Sequence, residues 1–243
     1  MRAYVAHGRR VCLHDVTNGD TRRLPDLLRL MVEYFPHCEK FLPSLEADAQ
    51  ARLTAESRVV PHQWVIEVDG ETAGFYIFDY RPQRDCGLSL FMGIHPEFRR
   101  LRVNGYDRMA HFLFVESVRQ ACEDAAHFKR QPPPGLAGEI ELAPLRERYR
   151  LYNFVELPVL YYEPMFPEPF IAMTEDVDPE AVTYERVTLG LFHGGAPRIS
   201  LSAGEVANLA LAYLEDFYRL PPDSMPVRQA AATAQPFVWT EGE

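Results

Sequence analysis

GIHPEFRRLRVNGYD, residues 93–107, decides how the rest of the chain is read. It joins an apolar run, Leu88 to Ile94, to an amphipathic run that starts near Val103. The join carries Arg99, Arg100 and Arg102 and closes on Asn104-Gly105. A strand that ends in a basic, glycine-containing turn and feeds a helix is suited to holding phosphate. Free backbone N–H groups and the positive end of the helix dipole face the anion, and arginines add charge-assisted bonds. An ordinary connection with solvated arginines would share these local features, because lone glycine-containing turns match widely. The flanking elements must therefore discriminate.

Upstream, residues 10–17 alternate as an opening strand. Gly19-Asp20-Thr21 offers an N-cap, and Leu24, Leu27, Leu28, Met31 and Tyr34 mark one face of a first helix that Phe35-Pro36 stops. A shorter helix covers residues 44–55. Trp64 to Val68, Asp69-Gly70 and Ala73 to Phe78 read as a hairpin with Asp-Gly in its turn. Downstream, Val103, Tyr106, Ala110, Leu113 and Ser117 share a helix face. After the loop Gln131 to Gly135 come a short strand, Gly138 to Leu142, a helix, Pro144 to Tyr152, and a strand through Val155 to Tyr162. Ala181 to His193 reads as one more strand. Ser202 to Glu205 is a capping box, opening a helix with Val206, Leu209, Ala210, Tyr213, Leu214 and Phe217 on one face. The expected division is a body over residues 1–200, a packed helix over 201–220 and a loose tail over 221–243, which Phe237-Val238-Trp239 could pin in part. The order of elements is mixed α/β.

Ile94-His95-Pro96-Glu97-Phe98-Arg99, followed by Arg102, Asn104 and Gly105, resembles the acyl-CoA-binding turn of the GNAT superfamily of N-acetyltransferases. There an apolar residue and x-Pro-x-aromatic-Arg precede x-x-Gly-x-Gly/Ala at the head of a helix. The order of elements over residues 8–165 is similar to that of GNAT domains. The resemblance implies a mixed, mostly antiparallel central sheet flanked by helices, here with a C-terminal strand–helix extension. It implies a CoA-dependent N-acyltransferase with acetyl-CoA as co-substrate and a small-molecule or protein amine as acceptor. CoA binding falls to the backbone of Met92 and Ile94 in a splayed strand, and to Arg99, Arg100, Arg102, Asn104 and Gly105. The chain also departs from the pattern: counted from Arg99, the glycine positions hold Arg102 and Asn104, and counted from Arg102 the second holds Asp107. These departures keep an alternative open, a non-catalytic GNAT-fold binding module with a degenerate CoA site.

Acyl transfer to an amine needs a base for the amine, stabilisation of the carbonyl oxygen and a proton donor for the departing thiolate. Arg148-Tyr149-Arg150-Leu151-Tyr152-Asn153-Phe154 resembles the aromatic-Tyr-x-x-x-Gly-Phe segment of GNAT enzymes, which puts Tyr149 on their general-acid tyrosine. Asn153 stands for the glycine and Arg148 for the aromatic residue. The strand from Gly87 to Ile94 has no carboxylate, whereas Glu139 and Glu141 lie two apart and share a strand face. Two carboxylates there should face a wet cleft, since apolar packing would desolvate them. Glu141 is the preferred base, being nearer the C-terminal end of the strand.

Composition narrows the partners. A net charge of −10 disfavours a nucleic-acid partner, which needs a positive phosphate-tracking surface, and mildly favours a cationic amine. No apolar run approaches the roughly 18 residues of a membrane span, and the N-terminus has no uninterrupted apolar core of a secretory signal. Cys12, Cys38, Cys86 and Cys122 are widely spaced and no histidine pair has ligand spacing, so no metal and a cytoplasmic, reduced setting are expected. A homodimer is compatible with these features.

Overall fold

Asp69 and Gly70 take φ values of 53° and 90°, the left-handed pair that a two-residue hairpin turn demands. They join β3 (Val60–Val68) to β4 (Glu71–Arg81), with Val68 opposite Glu71. The computed structural model containing this hairpin describes residues 1–6, 8–18, 21–141 and 143–241. The N-cap read at Gly19-Asp20 and the strand end read at Leu142 lie outside the described residues.

The hairpin is the centre of a mixed, mostly antiparallel sheet flanked by helices. Its other strands are β1 (Arg2–Ala6), β2 (Arg9–Asp15), β5 (Cys86–Ile94), β6 (Leu136–Ile140), β7 (Phe154–Glu156), β8 (Tyr161–Met165) and β9 (Thr183–Phe192). Their order is β1-β2-β3-β4-β5-β6-β9-β7, with β8 also on β9, and only β5 and β6 pair parallel among the described strands. One face carries α3 (Met109–His127) and α4 (Ala143–Arg150), packed on Tyr76, Phe78, Leu136 and Phe192. The other carries α1 (Leu24–Tyr34) and α2 (Leu42–Gln50) over Val65, Phe75 and Ile77. Beside them α5 (Ala203–Leu211), its π-helical continuation Ala212–Phe217 and α6 (Met225–Thr233) cover Leu88, Ala137 and Leu189. No helix among the described residues is long and apolar enough to cross a membrane.

Four local expectations need correction. β1 was not read, because Arg2 and Tyr4 give an edge strand little apolar alternation. The strand expected over Val155 to Tyr162 is two strands, parted at Leu157-Pro158, where proline cannot continue a ladder. The tail expected to be loose holds α6, begun by Pro226 in its first turn, and β11 (Phe237–Thr240), which pairs with β10 (Arg198–Leu201). Finally, α3 begins at Met109 and not near Val103. Asn104 and Gly105, at φ 49° and 88°, close a turn of their own, in which Val103 and Tyr106 exchange backbone hydrogen bonds of 3.1 and 2.9 Å. Two successive left-handed residues cannot lie within a right-handed helix.

Candidate functional site

The parallel pair β5–β6 is a fork. Its strands are in register at Gly87/Leu136, Leu88/Ala137 and Ser89/Gly138, and then β5 continues to Ile94 without β6. At the parting point β5 carries an extra residue: Ile77 faces Phe91 and Phe78 faces Ser89, leaving Leu90 between them. Such a bulge bends and twists its strand. The result is a wedge in mid-sheet bordered by main-chain polar groups that the sheet does not use, a slot suited to an extended ligand with amides of its own. Met92 and Ile94 lie on this stretch, and their side chains pack into the α3 core.

The base of the fork is tied from the C-terminal extension. The Tyr213 hydroxyl, buried under the sheet, is 2.7 Å from the carbonyl of Ser89 and 3.1 Å from that of Ala137, one on each arm. Arg84, in the turn between β4 and β5, fixes the same helix: it donates to Asp216 at 2.9 Å and Glu215 at 2.6 Å, and its carbonyl accepts from Asn208 at 2.7 Å. Sequence reading assigned Tyr213 to helix packing only, since an amphipathic pattern reports a buried face and not what a hydroxyl at its tip meets.

Beyond the open end of the fork lies the basic loop. Arg99 turns back and donates to the carbonyl of Ile94 at 2.9 Å, and Arg102 pairs with Asp107 at 2.6 Å on the surface. Gly105 has open space where a Cβ would stand. Arg100 and Arg108 are exposed and without an ion-pair partner among the described residues. Arg108 is the extended residue before α3, and no side chain caps that helix. The first N–H groups of a helix of 19 residues thus have no side-chain cap, and Arg108 directly precedes them. The uncapped helix start expected near Asn104-Gly105 lies at Arg108-Met109.

Tyr149 lies on the α3 side of the sheet. Its ring meets Phe114 at 5.5 Å, Phe192 at 5.4 Å and Phe154 at 6.2 Å, all edge to face. Burial raises its pKa, so the phenol keeps its proton throughout the neutral range. It lies within electrostatic range of Tyr76, whose hydroxyl donates to Ser89 Oγ at 3.0 Å, at the last paired position of the fork. Asn153 takes φ 60°, the left-handed position that the glycine of the GNAT pattern would occupy.

The carboxylates lie across the sheet. Glu139 is half-buried against aromatic side chains and accepts hydrogen bonds from Tyr161 and, at 2.8 Å, from Tyr218. Tyr218 also lies 3.2 Å from Glu163. Burial, reinforced by Glu163, lifts the Glu139 pKa well above the carboxylate range. Burial and Glu141 bring Glu163 to about 7. Hydroxyl donors offset the desolvation that apolar packing would impose. Glu141, just past the end of β6, is exposed. Its charge is felt by Cys38 beneath α1, whose thiol burial pushes up to about 11. Tyr149 and Glu141 therefore flank the sheet on opposite sides. Glu163, absent from the expected site, had a signal: Tyr161 and Glu163 alternate on one face of β8.

One group among the described residues has metal-donor character. Donor atoms of Cys12, His14 and Glu67 lie within 4.8 Å of one another, yet Glu67 already accepts from Arg23 and lies 3.6 Å from His14. A guanidinium on the one carboxylate ligand opposes a cation there.

No protein-family model matches the sequence, and no curated protein matches it. Among solved structures the chain is similar to a tandem GNAT protein from the clavulanic acid biosynthesis pathway, at 13% identity over 64% of this chain and 48% of that one, with a TM-score of 0.43. It spans about half the length of that protein. It is similar to an acetyl transferase from Salmonella typhimurium that modifies the N-terminal serine of a 50S ribosomal subunit protein, at 13% identity, 75% and 92% coverage and a TM-score of 0.42. An acetyltransferase from Streptococcus agalactiae is similar at 10% identity, 76% and 99% coverage and a TM-score of 0.40.

Proposed function

We propose that the chain is a CoA-dependent N-acyltransferase that moves an acetyl group from acetyl-CoA to an amine. The observation that carries this reading is the β5–β6 fork, with a protonated tyrosine on one side of the sheet and carboxylates on the other. The residues present fit the co-substrate. The main-chain edge along Met92 and Ile94 suits the amides of the pantetheine arm. The uncapped start of α3, preceded by Arg108, suits the pyrophosphate, and Asp107 is neutralised by Arg102. Bound there, the thioester supplies an activated carbonyl and a thiolate leaving group.

The side chains then divide the proton work. An alkyl ammonium, pKa near ~10.4, cannot attack a carbonyl until it loses a proton. Glu141, exposed at the end of β6, attracts the cation and takes that proton directly or through one water. Tyr149 returns a proton to the thiolate from the α3 side. Glu163, whose pKa burial raises to about 7, carries partial charge near neutral pH and favours cations on this side of the sheet. The test is thiol release from acetyl-CoA in the presence of primary amines. Amine-dependent release that Tyr149→Phe abolishes supports the reading. A protein that binds acetyl-CoA but transfers to no amine would leave the non-catalytic module, which the engagement of Arg99 and Arg102 in internal contacts favours.

A further inference from the structure

A cavity of about 850 Å³ opens beside the end of β6, within the ~300–1,000 Å³ range of small-molecule sites. It exists because β9 changes partner along its length. β7 pairs with Gly190 to Phe192 and β8 with Thr183 to Val187, while the linking residues 157–160 bow outward between them. The end of α6 closes the far wall. Leu157, Val159 and Leu189 give the lining aliphatic patches, and four charged side chains reach it: Glu141, Arg146, Glu156 and Arg186.

These four are not equally free. Glu156 is held by Arg150 at 2.6 Å and lies 3.8 Å from Arg146, which donates to Thr188 Oγ1 at 3.1 Å. Glu141 and Arg186 have no ion-pair partner among the described residues. Arg186 and Thr188 alternate on one face of β9, the face that Arg146 approaches. Glu141 is the free carboxylate of the lining, and Glu163, whose pKa is raised to about 7, lies within electrostatic range of it. A mixed polar and aliphatic cavity that holds one free charge of each sign matches a molecule bearing both opposite charges.

We propose that this cavity binds a small molecule bearing both a free ammonium and a free carboxylate, of about tripeptide size, with the ammonium at Glu141 and the carboxylate at Arg186. The proposal rests on the acyl-transfer reading only in making that ammonium the acceptor amine; the binding itself does not need acetyl-CoA. Carboxylate recognition by paired arginines is directional, and removing a charge-assisted hydrogen bond from either end should weaken binding by at least ~10-fold.

The experiment is calorimetric titration of the full chain, without acetyl-CoA, with trialanine, trialanine amide and N-acetyl-trialanine. Trialanine is expected to bind, and each blocked form to bind at least ~10-fold more weakly. Arg186→Met should erase the preference over the amide and keep the preference over the acetylated form, and Glu141→Gln should do the converse. Both side chains are exposed, so thermal melts of the variants should match the wild type. No heat from millimolar trialanine, equal binding of the three peptides, or an Arg186→Met protein that still rejects the amide would each overturn the proposal. A protein that binds trialanine in this manner but ignores acetyl-CoA would retain this site and remove the transfer reading. Acetylation of amines regardless of a carboxylate, with Arg186→Met unchanged, would do the reverse.

Discussion

Tyr149 is the residue on which the proposed chemistry turns, and its surroundings make the test clean. Its ring is held by Phe114, Phe154 and Phe192, so phenylalanine preserves the packing while removing the proton. Tyr149→Phe is expected to lower turnover by roughly 10²–10⁴-fold with CoA affinity nearly unchanged, as read from steady-state rates and a parallel binding titration. Undiminished turnover would return Tyr149 to a packing role. At this scale the sequence was uneven. Asn153 was legible because a left-handed helix end accepts asparagine, and a local motif singles out Tyr149 for the assay above. The strand period could not separate Glu139 from Glu141, because Glu141 lies past the end of β6. Which is half-buried depends on where β6 ends and on Tyr161 and Tyr218, whose hydroxyls arrive from distant parts of the chain.

Among elements, the displaced start of α3 and the tie from α5 are what periodicity could not reveal. Apolar spacing continues smoothly from Val103 into the helix, because Val103 is core on either reading; only the backbone angles of Asn104 and Gly105 separate turn from helix. The tie predicts a measurable cost. Tyr213→Phe leaves two buried carbonyls at the fork without its donor and should destabilise the chain by about 1–3 kcal/mol in urea unfolding. An unchanged midpoint would show that the fork holds itself together. A second junction joins β2, β3 and α3. There the buried His62 lies 2.9 Å from Asp124 and 2.7 Å from Asp15. Burial alone would lower its pKa, but the two carboxylates together hold it at about 9. A histidine whose folded pKa is raised stabilises fully below its unfolded value, near ~6.5, and loses that contribution as pH climbs through the folded value. The stability gap between wild type and Asp124→Asn should thus be widest around pH 5–6.5 and narrow towards pH 9. A gap that widens with pH would contradict a charged imidazole.

For the molecule as a whole, the mixed α/β order could be read from local alternation and capping signals, while the mostly antiparallel sheet was an expectation from the resemblance. The fork, the half-buried carboxylates and the cavity beside β9 arise from which strands become neighbours, which no local pattern encodes. The two faces also differ in charge. Exposed Arg108 stands at the start of α3, while the exposed Glu141 lies across the sheet, so an anionic donor and a cationic acceptor would approach from opposite sides. The central claim is that the fork and the uncapped start of α3 hold CoA, and thermal unfolding with the ligand tests it most directly. Millimolar CoA or acetyl-CoA should raise the melting temperature of the wild type through preferential binding to the folded state. Arg108→Glu, which places a carboxylate beside the free N–H groups of the helix, should remove most of that shift without lowering the melting temperature of the free protein. A wild type that CoA does not stabilise, or a shift that Arg108→Glu leaves intact, would contradict the account.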